Sequence, residues 1–391
     1  MNFDLETEEV AFQQELEAFL DSVASPDVFD AHGEQLSQTV DTPAKRRFIA
    51  QLGERGWLGM SWPAEYGGRE LSGIYDFILT ESLSRYGAPQ PGKSVGIVGK
   101  TIIRHGSDFL KEKFLPKIMR GEIEFAIGYS EPGAGSDAAS MKLDAQKVDG
   151  GWKLNGQKIW TTSAHFADWY WVGARTDPDN KHRGITLFLV PMDHPDLTID
   201  PIETIGDERT NSVFFDDVFV PDDHVVGDVG QGFIYICEAL DLERFAMMPI
   251  GVLEKKVEAL VEWARTAERD GRPVREDPEV RHRIAGLVTE LQVSRNLQRL
   301  VVSEALMDRI PTVEASYYKL YMNESGQRAA NAALDMMGPA AVLRPESEAA
   351  PVEGRFERSY RYTVVDTIGG GASEIQKNII ATRGLGLPRN F

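Results

Sequence analysis

A carboxylate set among apolar side chains is a common starting point for general-base chemistry, and ALDLERFAM contains one. The residues three, four and seven positions from Glu243 are Ile236, Ala239, Leu240, Ala246, Met247 and Ile250, all apolar. On a helix these positions share one face, so Glu243 falls on the stripe expected to meet the core. Burying an unpaired carboxylate is costly and raises its pKa. Glu243 therefore either pairs with a buried Arg or Lys or acts as a base in a dry pocket. Asp241 and Arg244, three apart, can pair on the neighbouring face. A second suspect is IGGGASEIQ at 368–376. Its three glycines precede a Ser-Glu pair that can open a helix. Such a loop cradles a phosphate or marks a place where a side chain was given up.

Other patterns carry less. GAPQPGKS at 87–94 matches G-x-x-x-x-G-K-[ST], but DFILTESLSRY before it has helical character and two prolines remove N–H donors. We read it as a connecting loop. GGGAS fails the dinucleotide fingerprint, because no helix with a distal acid follows. GYSEPG at 128–133 resembles a nucleophile elbow with Pro132 in place of the last glycine. The seven histidines form no H-x-x-x-H pair, so no metal site is expected.

These residues need elements to hold them. Residues 1–127 read as helical: Val10, Phe12, Leu16, Phe19 and Leu20 give an approximate 3.6-residue stripe. Near 128 the character changes. GWKLNGQKIW suggests a hairpin at Asn155-Gly156, and ADWYWVGART, GITLFLVP and NSVFFDDVFVP read as strands. From 233 onward the chain is helical again, with VLEKKVEALVEWARTAERDG as one helix and Pro249 a bend. The expected architecture is α+β and multidomain: an N-terminal helical domain (1–127), a middle antiparallel β domain (128–232) and a C-terminal helical bundle (233–391).

Composition narrows the function classes. The 391 residues carry a net charge of -19 and one cysteine, Cys237. No basic run offers a nucleic-acid footprint, and no internal disulfide is possible. The start MNFDLETEEV lacks a signal pattern and no apolar run is long enough to span a bilayer, so a cytoplasmic location and no membrane contact are expected.

Taken in order, GWLGMSWPAEYGG, HGSDFLKEKFLPKIMRGE, IGYSEPGAGSD (127–137), NGQKIWTTSAHFADW (155–169), LDLER (240–244) and GASEIQ (371–376) resemble the acyl-CoA dehydrogenase family across essentially the whole chain. The C-terminal domain is then expected to be a four-helix bundle. The resemblance implies FAD held between the β domain and the C-terminal helices. It puts Ser130 at the flavin pyrimidine edge, Ser136 at the pyrophosphate, Trp160 over the isoalloxazine and Thr162 near N5. Tyr129, Gly135, Thr161, Gly371, Glu374 and Gln376 join the implied cofactor site. Ser136, Asp241 and Arg244 join the implied substrate site. The implied reaction is α,β-desaturation of an acyl-CoA: a carboxylate takes the α proton, the β hydride goes to flavin N5, and donors meet the thioester oxygen.

Most of that family carries the base where this chain has Gly370, which retains only a backbone N–H. A minority, including isovaleryl-CoA and long-chain dehydrogenases, carry it at the position of Glu243. Two segments that reach a neighbouring subunit's FAD are altered: AERDG (267–271) lacks the Arg and Phe of R-x-x-F-G, and DMMGPAA (335–341) has Asp335 for Gln and Pro339 for Gly. The chain keeps the flavin half-site it uses and lacks the one it would lend. That resembles heterotetrameric dehydrogenases acting on sterol side-chain CoA esters, and implies an α2β2 assembly, with a homotetramer as the alternative, a bulky acyl chain, and electron-transfer flavoprotein as acceptor. An acyl-CoA oxidase or flavin monooxygenase on this fold, or a non-catalytic partner subunit, are the alternatives.

Overall fold

The computed structural model describes residues 4–34, 38–246, 249–307 and 311–388; for 240–246 it describes the helical backbone but not the side chains. Five helices come first: α1 (Thr7–Val23), α2 (Pro43–Glu54), α3 (Gly73–Tyr86), α4 (Lys100–His105) and α5 (Asp108–Met119). Phe12, Leu16, Phe19 and Leu20 of α1 are buried, while Val10 points to solvent, off the expected stripe. Ser72 and Ser107 cap α3 and α5, their hydroxyls accepting N–H groups of the first turns. GAPQPGKS leaves a helix rather than a strand and runs into a π-helical segment, Lys93–Gly99.

The sheet comprises β1 (Phe125–Gly128), β2 (Asp144–Val148), β3 (Gly151–Lys158), β4 (Trp169–Arg175), β5 (Ile185–Pro191), β6 (Leu197–Glu203), β7 (Arg209–Pro221) and β8 (Val225–Val226). Its order is β6-β7-β3-β2-β4-β5-β8, with β1 against β4. Pairing is mostly antiparallel; β1 and β2 run parallel to β4. The expected hairpin at Asn155-Gly156 is not where the chain turns. The β2–β3 turn lies at Asp149-Gly150, closing Val148 on Gly151. Asn155-Gly156 is instead an irregularity within β3 opposite β7. There Asn155 exchanges hydrogen bonds with Asp217, its Nδ2 donating to Oδ1 at 2.8 Å and its Oδ1 accepting the Asp217 N–H at 2.8 Å. The extra residue is absorbed as a bulge.

Helix α6 (Gly232–Ala246) follows, then α7 (Gly251–Thr266), the short pair β9 (Glu268–Arg269) and β10 (Arg272–Pro273), α8 (Pro278–Leu306), α9 (Thr312–Met337), α10 (Arg355–Asp366) and α11 (Ser373–Ile379). AERDG does not prolong α7. Asp270 and Gly271 both take positive φ and form a tight hairpin turn. Helices α7, α8 and α9 pack together with α10 on α9, around Leu253, Leu260, Leu291, Tyr318, Met322, Ala329 and Phe356.

Helix α6 joins the parts. It packs on β5, on the Lys93–Gly99 segment and on α9. Tyr235, Ile236 and Ala239 are buried with Trp171, Ile185, Leu187 and Leu189 of the sheet. Among the described residues, no helix is long and apolar enough to cross a membrane.

Candidate functional site

Two loops of the β domain meet first. β1 ends in Gly128, where any side chain would collide with the Tyr170 ring: an added Cβ would lie 2.5 Å from it. The chain then turns through Tyr129–Asp137, and the Ile159 N–H donates to the Ser130 carbonyl at 3.0 Å, tying this turn to the end of β3. Beneath the contact lies a buried ion pair. Lys158, fully buried, donates to Glu131 Oε1 at 2.7 Å. Glu131 also accepts the N–H groups of Lys142 and Leu143 at 2.5 and 2.8 Å. Burial pulls the Lys158 ammonium down to about 8, opposed by the Glu131 carboxylate. The Tyr129 hydroxyl accepts from Trp171 Nε1 at 2.8 Å.

This brace presents Trp160. Its backbone is left-handed, φ +62°, and its indole is 58% exposed. A large aromatic held open to solvent in a strained conformation suits stacking on a flat ring. Thr161 is buried beside it, its hydroxyl 2.7 Å from the Tyr170 hydroxyl and its backbone exchanging hydrogen bonds with Asn211. Thr162 is half-buried next to Ser163, which accepts from Lys93 Nζ at 2.6 Å. Gly135 and Ser136 are exposed, and among the described residues nothing lies within 4 Å of a Cβ added at Gly133 or Gly135. An approaching phosphate would find backbone rather than side chain there.

A second group sits on the bundle. After α10 the chain turns through Thr367–Ala372, with Gly370 at φ +63° and Gly371 at φ +92°, a conformation that favours glycine. The Ser373 N–H donates to the Thr367 carbonyl at 2.9 Å. Gln376, fully buried on α11, donates through Nε2 to the Gly371 carbonyl at 3.0 Å, while its Oε1 has no hydrogen-bond partner among the described residues. An acceptor left without a donor in the interior calls for one supplied from beyond the described residues. Glu374 is exposed on the same helix.

The structure thus gathers Tyr129, Ser130, Trp160 and Thr161 on the sheet, and Gly370, Gly371 and Gln376 on the bundle. Helix α6 packs on both sides. The side chains of Asp241, Glu243 and Arg244 lie outside the described residues. Of the apolar positions flanking Glu243, Ile236, Ala239 and Ile250 are buried. Sequence reasoning missed Lys158 and Glu131. Period-two spacing from Trp152 and Leu154 puts Lys158 on the inward face of β3, a signal its charge obscured.

A helical domain, a mostly antiparallel sheet and a helical bundle, with these two loop groups, define an acyl-CoA dehydrogenase fold. The chain matches all three domains of that family: acyl-CoA dehydrogenase N-terminal domain over 6–122, middle domain over 126–218 and C-terminal domain over 230–385. It is 34% identical over 352 residues to acyl-CoA dehydrogenase FadE26 of Mycobacterium tuberculosis, covering 88% of each chain. Among solved structures it resembles the Tcur3481-Tcur3483 steroid ACAD, with TM-score 0.90, 34% identity and full coverage of both chains. The ChsE4-ChsE5 complex from Mycobacterium tuberculosis is similar at TM-score 0.90 and 32% identity, again over the whole of both chains. The chain belongs to the acyl-CoA dehydrogenase family and is an oxidoreductase of that class. Family membership implies FAD as cofactor. The open backbone at 133–135, the exposed Trp160 indole and the orphaned Gln376 oxygen fit such a group.

Proposed function

We propose that this chain desaturates an acyl-CoA thioester between its α and β carbons, with Glu243 as the α-proton base and the Gly370 N–H as a donor to the thioester oxygen. The observation that carries this reading is the exchange of positions between the two groups. Gly370 has no side chain, takes a left-handed backbone, and among the described residues leaves only Lys319 Cε, at 3.9 Å, near the place of a Cβ. Glu243 belongs instead to α6, the helix whose backbone packs against both sheet and bundle. A base delivered from that wall leaves the glycine loop to act through its backbone.

Bound FAD supplies the acceptor for the β hydride. Tyr129, Ser130, Gly135, Ser136, Trp160, Thr161 and Thr162 would hold it from the sheet, with Gly371, Glu374 and Gln376 on the bundle side. Ser136, Asp241 and Arg244 serve the CoA end. Room at Gly370 favours a branched or ring-bearing acyl chain, in keeping with similarity to a protein described as a steroid ACAD. Electron-transfer flavoprotein is the expected acceptor and the cytoplasm the expected location.

The assembly is proposed as α2β2. Asp270 and Asp335 put carboxylates in the two segments that would approach a neighbour's FAD, where a pyrophosphate disfavours them. Helix α10 presents Tyr360 and Val364 to solvent at helical spacing, with Ile368 continuing the row and exposed at 62%. A partner subunit can cover that row. Glu243→Gln tests the chemistry. The flavin-loaded variant should lose ~10²–10⁴-fold in the rate of flavin reduction by acyl-CoA, the usual contribution of a general base. A near wild-type rate would remove Glu243 from the mechanism.

A further inference from the structure

Helix α9 carries an unusual polar row, Lys319, Asn323 and Gln327, spaced four residues apart. Lys319 and Asn323 are only 3% and 5% exposed. Burying an ammonium and an amide inside a helical bundle is costly unless their hydrogen bonds have a fixed purpose. All three side chains reach the same target, the C-terminal end of α10. Lys319 Nζ donates to the Asp366 carbonyl at 3.1 Å. Asn323 Nδ2 donates to that carbonyl at 2.5 Å. Gln327 Nε2 donates to the Thr363 carbonyl at 3.2 Å. These are last-turn carbonyls of a helix, which need donors from elsewhere, and a cation there is favoured by the helix dipole.

The grip lies at the root of the glycine loop. Four residues past Asp366 stands Gly370, and Lys319 Cε lies 3.9 Å from where its Cβ would be. The loop's internal hydrogen bonds use the N–H groups of Ile368, Gly369 and Ser373. With Gln376 holding the Gly371 carbonyl, the loop is clamped on both sides of Gly370. Three glycines in succession would otherwise leave its direction loose.

We propose that Lys319 is a positioning residue for α-proton abstraction: with Asn323 it fixes the Asp366 carbonyl, and so the direction of the Gly370 N–H toward the thioester oxygen. This rests on the reading above that Gly370 is that donor. Positioning acts on the enolate-like state more than on binding, because negative charge builds on the oxygen only as the α proton leaves.

The test uses the flavin-loaded protein and 4-nitrophenylacetyl-CoA, whose enolate is itself coloured, so that ionisation of the bound ligand is read without turnover. In Lys319→Met the pH midpoint of that ionisation should rise by about one unit, equivalent to ~10-fold less enolate at fixed pH, while the dissociation constant of the neutral ligand changes less than ~3-fold. Lys319→Arg should restore most of the effect. Asn323→Ala, which removes one donor and no charge, should shift the midpoint in the same direction by less, and it carries the test if Lys319→Met does not fold. Unchanged midpoints in folded variants, or a loss in binding equal to the loss in ionisation, would overturn the proposal. If the wild-type protein itself leaves the analogue neutral, the reading of Gly370 and Glu243 fails, and this inference with it.

Discussion

Replacing Lys158 by Met tests the brace beneath the loops that carry Ser130 and Trp160. Lys158 is fully buried and the Glu131 side chain is 7% exposed. Methionine fills most of the lysine volume, so the loss is chiefly electrostatic. Glu131 would keep two backbone N–H donors, from Lys142 and Leu143, but its charge would lose its counter-ion. Stranding one member of a buried pair costs about 3–5 kcal/mol. If the cost comes from the stranded charge, removing it should recover stability. The double variant Lys158→Met with Glu131→Gln should therefore be more stable than Lys158→Met alone, by ~1–3 kcal/mol, because the amide oxygen introduced by Glu131→Gln still accepts one N–H. Urea unfolding followed by tryptophan fluorescence reads this, because Trp152, Trp169 and Trp171 all lie on the sheet. A double variant less stable than either single one would refute the charge-stranding account and leave packing as the reason for the loss.

Two further outcomes follow from the same geometry. Trp160→Ala should weaken FAD retention ~5–150-fold, the range of about 1–3 kcal/mol for an aromatic stacking surface, while the apoprotein loses under ~0.5 kcal/mol because the indole is exposed; a large stability loss with unchanged flavin content would contradict a stacking role. Burial pushes the Glu81 carboxyl up to about 8, with Glu254 adding to the rise and the Ile250 N–H and Gln298 amide opposing it. A folded pKa above the unfolded one contributes stability that is complete below about 4.5 and is lost as pH rises through about 8. The full linkage would be roughly 5 kcal/mol, but Glu81 lines a groove of about 730 Å³ open to water, so roughly 2 kcal/mol is expected. Glu81→Gln should flatten the fall in stability between about pH 5 and pH 8; wild-type and variant profiles that stay parallel would exclude Glu81 as its source.

Where local chemistry and tertiary packing ask for the same thing, the sequence was legible. Phe12, Leu16, Phe19 and Leu20 of α1 are buried as their spacing requires. So are Ile236, Ala239 and Ile250, the described members of the apolar ring around Glu243. Trp152 and Leu154 are likewise inward on their strand. The hairpin was misplaced because Asp149-Gly150 and Asn155-Gly156 carry equivalent turn chemistry. Only the partner strand decides between them, and Asp217 of β7 claims Asn155 as a bulge. The lysines at 158 and 319 were opaque for another reason. Charge reads as a solvated face, and nothing local says that Glu131 or the Asp366 carbonyl waits on another element, distant in the chain.

The two surfaces proposed to face flavin differ in how they treat an anion, and that difference supports the proposed unequal partner more strongly than the missing motif letters do. On the chain's own side, Gly133 and Gly135 leave backbone open beside Ser136. On the other side, two arginines close to the altered segments are engaged within the chain. Arg283 binds Asp335 at 3.0 Å and Glu279 at 2.9 Å. Arg269 donates to the Met336 carbonyl and lies 3.7 Å from Asp277. Arg269 thus ties the 267–271 hairpin to the end of α9, so both altered segments form one surface. A pyrophosphate arriving there would meet Arg269 and Arg283 already paired, beside two carboxylates, Asp270 and Asp335. To bind it, the chain would have to break those pairs, each worth little singly but together set against the ligand. Two copies of this chain would therefore offer each other a poor second half-site, whereas a partner with free arginines at these places would offer a good one. Substituting Asp335 by Gln alone should not create flavin binding between identical copies, because it leaves Asp270 in place and Arg269 held by the Met336 carbonyl. Flavin content of the purified Asp335→Gln protein checks this, and a stoichiometric flavin spectrum would refute it.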